Sequence, residues 1–217
     1  VDVYEYSFVG EDKLKDVCNK LLEFDQDVQL HTHPSWRDDS CDFNVIRKMK
    51  KNNSFLSQEL DFMAKLNLDQ QIMVLSKGVD LIKSWTGEKP IAHRSGGYSI
   101  NSDTIKALNE VGILIDSSMN SIHGNSKITW SDNLIIEKNG IIELPVTFCK
   151  LAFGASFYKS KIIKINEKKL KTDLDTLNLR ALEDFVKISV DKNIKIMNLF
   201  MHSYSLIDYD YYYRKFK

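Results

Sequence analysis

The chain has 217 residues, of which 43% are hydrophobic and 28% are charged, a composition typical of an ordinary globular protein. Lysine plus arginine balance aspartate plus glutamate at 30 each, which argues against nucleic acid as the main partner. No apolar run approaches the roughly 20 residues that a bilayer-spanning helix needs. The widely separated Cys18, Cys41 and Cys149 form no metal-binding or disulfide pattern, so we expect a reducing, cytoplasmic location.

Helical and strand-like patterns alternate along most of the chain. In chain order, the apolar periodicity and the capping residues predict a helix over 11–24, a strand over 28–30, a helix over 69–85, a strand over 91–93, a helix from Asn101 or Ser102 to Gly112, strands over 113–115 and 141–144, a helix over 179–191 and a strand over 194–201. Residues 118–140 and 146–175 are less regular and are predicted to hold long loops, either alone or with short strands. The alternation favours an α/β fold in a single domain, with parallel strands joined by crossover helices.

Two histidines come directly after the first predicted strand. Side chains two residues apart on an extended backbone point the same way, so His31 and His33 can reach one divalent metal ion. Pro34 ends the strand just beyond them. A zinc-like ion held by neutral imidazoles would keep open positions for water. The alternative is a pair of surface histidines in a turn.

Further polar residues follow later strands. Arg94, Asp116 and His202 each come after an apolar strand-like segment. In a parallel β/α barrel the carboxyl ends of the strands converge on one mouth. We therefore expect these three residues to meet His31 and His33 there.

Each of the three later residues has a chemical role and a structural alternative. The guanidinium of Arg94 can orient a carboxylate, or it can form an ion pair at the barrel rim. Asp116 can raise the pKa of His202 and prepare it as a general acid, or it can cap a turn. His202 can also be a hydrogen-bonded core histidine.

Four segments, taken in order, resemble the polysaccharide deacetylases, and most closely a variant branch found among bacterial surface-polysaccharide biosynthesis proteins. These segments are His31-Thr-His33-Pro, Arg94-Ser-Gly-Gly-Tyr98, Asp116-Ser-Ser and Leu199-Phe-Met-His202-Ser. The resemblance implies a distorted or incomplete (β/α) barrel that hydrolyses acetyl groups on sugars. It also implies one divalent metal ion, usually zinc, held by an aspartate and two histidines.

Taken position by position, the resemblance implies a role for four residues. His31 matches the first metal histidine, and Arg94 matches the arginine that orients the catalytic base. Asp116 matches the carboxylate that tunes the acid, and His202 matches the acid itself.

Two departures from the family pattern concern the metal. Many members space their histidines so that the second would fall at Ser35, and here His33 is the nearest candidate. The family's first motif is a strand that ends in paired aspartates, and Asp2 follows no predicted strand. The same holds for the other early aspartates, Asp12, Asp16, Asp25 and Asp27. We therefore expect the third ligand and the base to lie upstream of Val1. The single domain 1–217 would then be truncated at the N-terminus, with truncation at the C-terminus as a second expectation.

The sequence thus predicts a metal-dependent hydrolase that removes acetyl groups from amino sugars of a polysaccharide or its precursor, in bacterial surface-glycan biosynthesis. Tyr98, Trp36 and Trp130 are candidate sugar-stacking surfaces, with ordinary packing as the alternative for each. Gly97 would let the backbone approach the substrate, and a plain tight turn is its alternative role. One alternative is another barrel hydrolase with two histidines after a strand, either an amidohydrolase or a phosphoesterase. The other is a glycan-binding relative without the base.

Overall fold

The computed structural model describes residues 1–36, 62–122, 126–128, 133–158, 161–175 and 177–202. The chain divides into two compact units, although the sequence shows no linker between them. The first unit comprises Val1–Met119, His123–Trp130 and Ile135–Leu144. The second comprises Asn120–Ile122, Ser131–Leu134 and Pro145–Lys217.

The first unit contains a five-stranded sheet flanked by helices. In chain order its elements are α1 (Tyr6–Val9), α2 (Glu11–Glu23), β1 (Leu30–Thr32), α3 (Leu68–Thr86), β2 (Ala92–Ser95), α4 (Ser102–Glu110), β3 (Ile115–Asp116), β4 (Ile136–Lys138) and β5 (Ile141–Glu143). The strand order is β1-β2-β3-β5-β4, in which the first four strands are parallel and β4 is antiparallel to β5. The predicted α/β class is confirmed, whereas closure into a barrel stays a prediction.

The two crossover helices begin where local sequence chemistry places them. At the start of α3, the side chains of Asn67 and Gln70 each accept a hydrogen bond from the other's backbone N–H, which forms a capping box. Asn101 and Thr104 do the same for α4. Gly87 ends α3 with a left-handed φ of 84°, a conformation that glycine adopts without strain.

One face of the sheet packs against the helices, and the opposite face carries His31. The register pairs Leu30 with His93, His93 with Asp116, and Asp116 with Glu143. Because side chains alternate along a strand, these residues share the face on which Leu30 packs into the helical core. His31 lies on the opposite face, with Arg94 as its register partner.

The second unit consists of a long antiparallel hairpin, β6 (Phe148–Tyr158) and β7 (Lys161–Lys171), and helix α5 (Leu179–Asp191). The predicted loop over 146–175 is therefore wrong for most of its length. The register shifts between Phe153 and Ala155 and again between Ser156 and Phe157. Such bulges interrupt the strict alternation by which a strand is recognised in a sequence.

The strand predicted over 194–201 is also wrong. Within the described residues, its pairing is a single parallel bridge between Phe200 and Asp173. Asn198 is held by another kind of contact, since its backbone N–H donates to Thr147 Oγ1 at 2.8 Å and its carbonyl accepts from the Thr172 hydroxyl. Within the described ranges, no helix combines the length and apolar character needed to cross a bilayer.

Candidate metal site

Asp2, His31 and His33 form a cluster in which one potential ligand atom from each residue lies within 4.8 Å of the others. The segment at Asp2 runs parallel to β1 and forms an isolated bridge with His31. The His31 N–H donates to the Val1 carbonyl at 2.9 Å. The sequence analysis looked for the carboxylate upstream of Val1, whereas Asp2 lies beside the two histidines.

The ring of His31 is held in one tautomer. Its Nδ1 lies 2.6 Å from the carbonyl oxygen of Arg94, and a carbonyl can only accept a hydrogen bond. Nδ1 therefore carries the proton, and Nε2 of the neutral ring keeps its lone pair. Burial and the neighbouring His33 lower the pKa of His31 well below its usual value, so the neutral form is the stable one. Metal-binding histidines are commonly oriented by this kind of hydrogen bond.

The ring of His33 packs edge-on against His31, with 5.0 Å between the ring centroids and an interplanar angle of 85°. Its Nε2 lies 3.9 Å from Asp2 Oδ2. Gly96 lies against the imidazole of His33, and a Cβ there would approach the ring Nδ1 at 2.6 Å. The second histidine is thus positioned by a close contact that only glycine permits.

The carboxyl group of Asp2 fits a cation better than it fits its protein surroundings. Its side chain is 8% exposed, and burial raises its pKa to about 7 although the charge of His33 acts in the opposite direction. Oδ1 accepts from the Tyr4 N–H at 3.2 Å, whereas no donor among the described residues reaches the buried Oδ2. A buried carboxylate oxygen without a donor is costly, and a cation between Asp2 and the histidines would compensate it. Two imidazoles and one carboxylate are a ligand set that zinc uses in sites with an open position.

Arg94 contacts the loop that follows β3. Its Nε donates to the Ser117 carbonyl at 3.1 Å, and Nη2 donates to Ser117 Oγ at 2.8 Å. Burial lowers the pKa of Arg94, while Tyr98 and Asp116 act against this shift. The role of Arg94 in orienting a base stays a prediction.

Gly97 and Tyr98 lie in a short turn after β2, and both have a φ of 58°. A left-handed conformation is ordinary for glycine but uncommon for a bulky residue, and strained backbone of this kind is often found at functional sites. The predicted role of both residues in substrate binding stays a prediction. The side chain of Trp36 and the whole of Trp130 lie outside the described residues.

Asp116 is fully buried and paired with His93. Its Oδ1 lies 2.9 Å from His93 Nδ1, and its carboxylate also accepts from the N–H and the hydroxyl of Ser118. Burial acts to raise its pKa, but the hydrogen bond and charge of His93 outweigh burial and hold that pKa below its usual value. The sequence analysis paired Asp116 with His202, whereas the structure gives it His93.

His202 belongs to the second unit and is paired with Asp175. The distance from its Nδ1 to Asp175 Oδ2 is 2.5 Å, and its backbone N–H lies 3.2 Å from both carboxylate oxygens. The imidazole is half exposed. Asp175 thus provides the carboxylate that the sequence analysis assigned to Asp116.

Sequence reasoning missed Asp2 and Asp175. Asp2 lies in an apolar–Asp–apolar triplet, Val1-Asp2-Val3, which is compatible with extended backbone but too short to identify as a strand. Asp175 follows β7, which was itself predicted as a loop. Neither residue carries a local signal that would have placed it beside a histidine.

No protein-family model matches the chain, and no curated protein matches it by sequence. Among solved structures, the chain is similar to one described as "putative polysaccharide deacetylase from Mycobacterium smegmatis", with 16% sequence identity and a TM-score of 0.36. The alignment covers 89% of this chain and 62% of that chain, so this chain spans less than two thirds of that protein's length. A TM-score this low does not establish a shared fold.

Proposed function

We propose that this chain is a metal-dependent hydrolase that removes acetyl groups from sugars of a polysaccharide or its precursor. The cluster of Asp2, His31 and His33 carries the proposal, because it supplies two imidazoles and a buried carboxylate oxygen that no described donor reaches. The family resemblance of the sequence gives the acetylated sugar as the substrate class.

In this proposal His31 binds the cation through Nε2, and His33 and Asp2 complete the protein ligands. A divalent cation such as zinc lowers the pKa of a coordinated water and polarises the carbonyl that is attacked. The protein side chains bind the cation, orient the reacting groups and transfer protons.

The proposal assigns proton donation to His202. The hydrogen bond from Nδ1 to the Asp175 carboxylate orients the ring, so that the opposite nitrogen can give a proton to the departing amine or alcohol. Arg94, held on Ser117, is assigned to orienting the reacting groups rather than to proton transfer.

The metal ligands can be tested by comparing two substitutions of the same chemical kind. Asp2→Asn removes the charge from the buried carboxylate, whereas Asp12→Asn makes the same change at an exposed position in α2. We expect Asp2→Asn to weaken zinc binding at least tenfold, as measured by calorimetry. Acetate release from acetylated oligosaccharides should fall with it, and Asp12→Asn should match the wild type. Unchanged zinc affinity in Asp2→Asn would exclude the proposed ligand set.

Metal stoichiometry separates the alternative functions. One ion per chain fits the single three-residue cluster found among the described residues. Two or three ions per chain would favour a phosphoesterase. One ion with glycan binding but no acetate release would indicate a non-catalytic relative.

A further inference from the structure

Four buried polar side chains form a row across the helix-covered face of the sheet. From β1 to β5, this buried polar row consists of Thr32, His93, Asp116 and Glu143, each at most 2% exposed. Thr32 Oγ1 lies 3.0 Å from His93 Nε2, and His93 Nδ1 lies 2.9 Å from Asp116 Oδ1. Glu143 is the register partner of Asp116 on the adjacent strand β5. The row therefore connects four adjacent parallel strands.

The two carboxyl groups at one end of the row cannot both be ionised at low cost. Asp116 and Glu143 are each 0% exposed, and two negative charges on adjacent strands repel strongly where water is excluded. The charge of Arg94 acts to lower the pKa of Glu143, but burial and the charge of Asp116 outweigh it. His93 is paired with Asp116 rather than with Glu143.

The two carboxyl groups differ in the hydrogen-bond donors that surround them. Asp116 receives donors from His93 and from the backbone and hydroxyl of Ser118, as expected of an ionised carboxylate. Glu143 Oε1 accepts from the Met119 N–H at 2.9 Å. No donor among the described residues reaches Glu143 Oε2, the oxygen that can carry a proton.

We propose that Glu143 is a protonated carboxylic acid in the folded protein, and that it donates this proton to Asp116 as a positioning residue for the segment 117–119. A neutral Glu143 satisfies Oε2 and leaves one charged carboxylate in the row. The proton on Glu143 also gives Asp116 one more hydrogen-bond donor, in addition to His93 and Ser118.

The electrostatic environment agrees with this geometry. Burial, and then the charge of Asp116, raise the pKa of Glu143 to about 11. The same surroundings keep the pKa of Asp116 below its ordinary value. The pKa values of the two carboxyl groups therefore differ in the direction expected if the two groups share one proton that resides on Glu143.

The segment 117–119 connects Glu143 to the candidate site. Glu143 accepts a hydrogen bond from the Met119 N–H, and Asp116 accepts one from the Ser118 N–H. The Ser118 Oγ in turn accepts from the Ser95 N–H at 2.8 Å. The preceding residue, Ser117, accepts both hydrogen bonds from the Arg94 guanidinium. Glu143 thus acts on Arg94 through this segment, without contacting a substrate itself.

Infrared spectroscopy of the wild-type chain tests the proton directly. In protein labelled with ¹³C at glutamate carboxyl groups, we expect the carbonyl band of a protonated carboxylic acid at pH 8, shifted by the label. The band should persist well above the pH at which an ordinary glutamate ionises, because burial and the charge of Asp116 raise the pKa of Glu143. Absence of a label-sensitive band at pH 8 would overturn the proposal, and no substitution is needed for this result.

Amide hydrogen exchange tests the positioning role. Glu143→Gln keeps a neutral donor and an acceptor in the same shape, whereas Glu143→Ala removes both. We expect exchange at Ser118 and Met119 to accelerate about tenfold or more in Glu143→Ala, as the loss of a buried hydrogen bond implies, and to stay near the wild-type rate in Glu143→Gln. Glu137→Gln, in the antiparallel strand β4, is the matched control.

The positioning role is wrong if Glu143→Gln accelerates exchange as much as Glu143→Ala does, because an ionised Glu143 would then be required. It is also wrong if neither variant changes exchange at these amides. Both measurements are made without metal or substrate, so they remain decisive if the proposed hydrolase activity is absent.

Discussion

At the scale of single residues, Gly96 decides where the ring of His33 lies. A Cβ at this position would stand 2.6 Å from the Cε1 atom of His33 and 2.9 Å from its Cγ, so an alanine would push the imidazole away. The alternative is a shift of β2, whose end is packed into the sheet. Moving the ring alters one ligand of the candidate site while leaving Asp2 and His31 chemically intact.

We therefore predict that Gly96→Ala weakens zinc binding by about tenfold to a hundredfold, the range seen when residues that orient a metal ligand are replaced. Calorimetric titration of the two proteins with zinc measures the effect.

A double-mutant cycle with His33→Ala provides the control for the Gly96 prediction. If alanine at 96 acts through the His33 ring, then adding Gly96→Ala to His33→Ala should change zinc affinity little further. Additive losses in the double variant would show that Gly96 acts by another route.

Residue chemistry visible in the sequence identified part of the site. The spacing of His31 and His33 is enough to predict a shared face, because alternation on extended backbone is a local property. The contributions of Asp2, His93 and Asp175 depend on pairings between distant segments. No local sequence pattern indicates these long-range pairings.

At the scale of elements, the helices were predictable because their signals are local. Residues 179–191 were predicted as a helix and form α5 with the same bounds, and the predicted helix over 69–85 is α3 with one more residue at each end. Capping boxes and apolar periodicity lie within each helix. The four predicted strands that form have ends within one or two residues of their predicted bounds, since a short strand ends where its neighbour stops pairing.

The orientation of α5 was less predictable than its existence. Leu179, Val186 and Val190 form an apolar series, yet all three are exposed in the described structure. Ala181 and Phe185 form the buried side instead. Which of two apolar stripes faces the core is decided by the hairpin packed against the helix, and that hairpin was not predicted.

Helix α3 approaches β1 closely at Gly78. A Cβ at Gly78 would stand 2.8 Å from Leu30 Cδ1 and 3.5 Å from Val3 Cγ2. Alanine normally stabilises a helix by up to about 1 kcal/mol relative to glycine, but overpacking a core costs about 1–3 kcal/mol. The cost of overpacking should exceed the gain in helix propensity at Gly78, because Leu30 is 2% exposed and has little space to move.

We predict that Gly78→Ala lowers the free energy of unfolding by about 1 kcal/mol, measured by urea denaturation. Combining it with Leu30→Val, which shortens the contacted side chain, should restore part of the loss relative to Leu30→Val alone. A stabilised Gly78→Ala protein would show instead that helix propensity outweighs packing at this contact.

At the scale of the whole molecule, the residues assigned to the chemistry are divided between the two units. The candidate metal ligands belong to the first unit, and the pair of His202 and Asp175 belongs to the second. Metal affinity and proton donation should therefore respond to different substitutions. Such a separation distinguishes a hydrolase with a dedicated acid from a protein that only binds metal.

We predict that His202→Ala leaves zinc affinity near the wild-type value and lowers the rate of acetate release by about a hundredfold to ten-thousandfold, the contribution typical of a general acid. Asp175→Asn should lower the rate less, because it keeps the histidine but weakens the hydrogen bond that orients its ring. Asp191→Asn, at the exposed end of α5, should leave the rate unchanged. Full acetate release by zinc-saturated His202→Ala would remove His202 from the chemistry and leave the metal ligands as the whole of the proposed site.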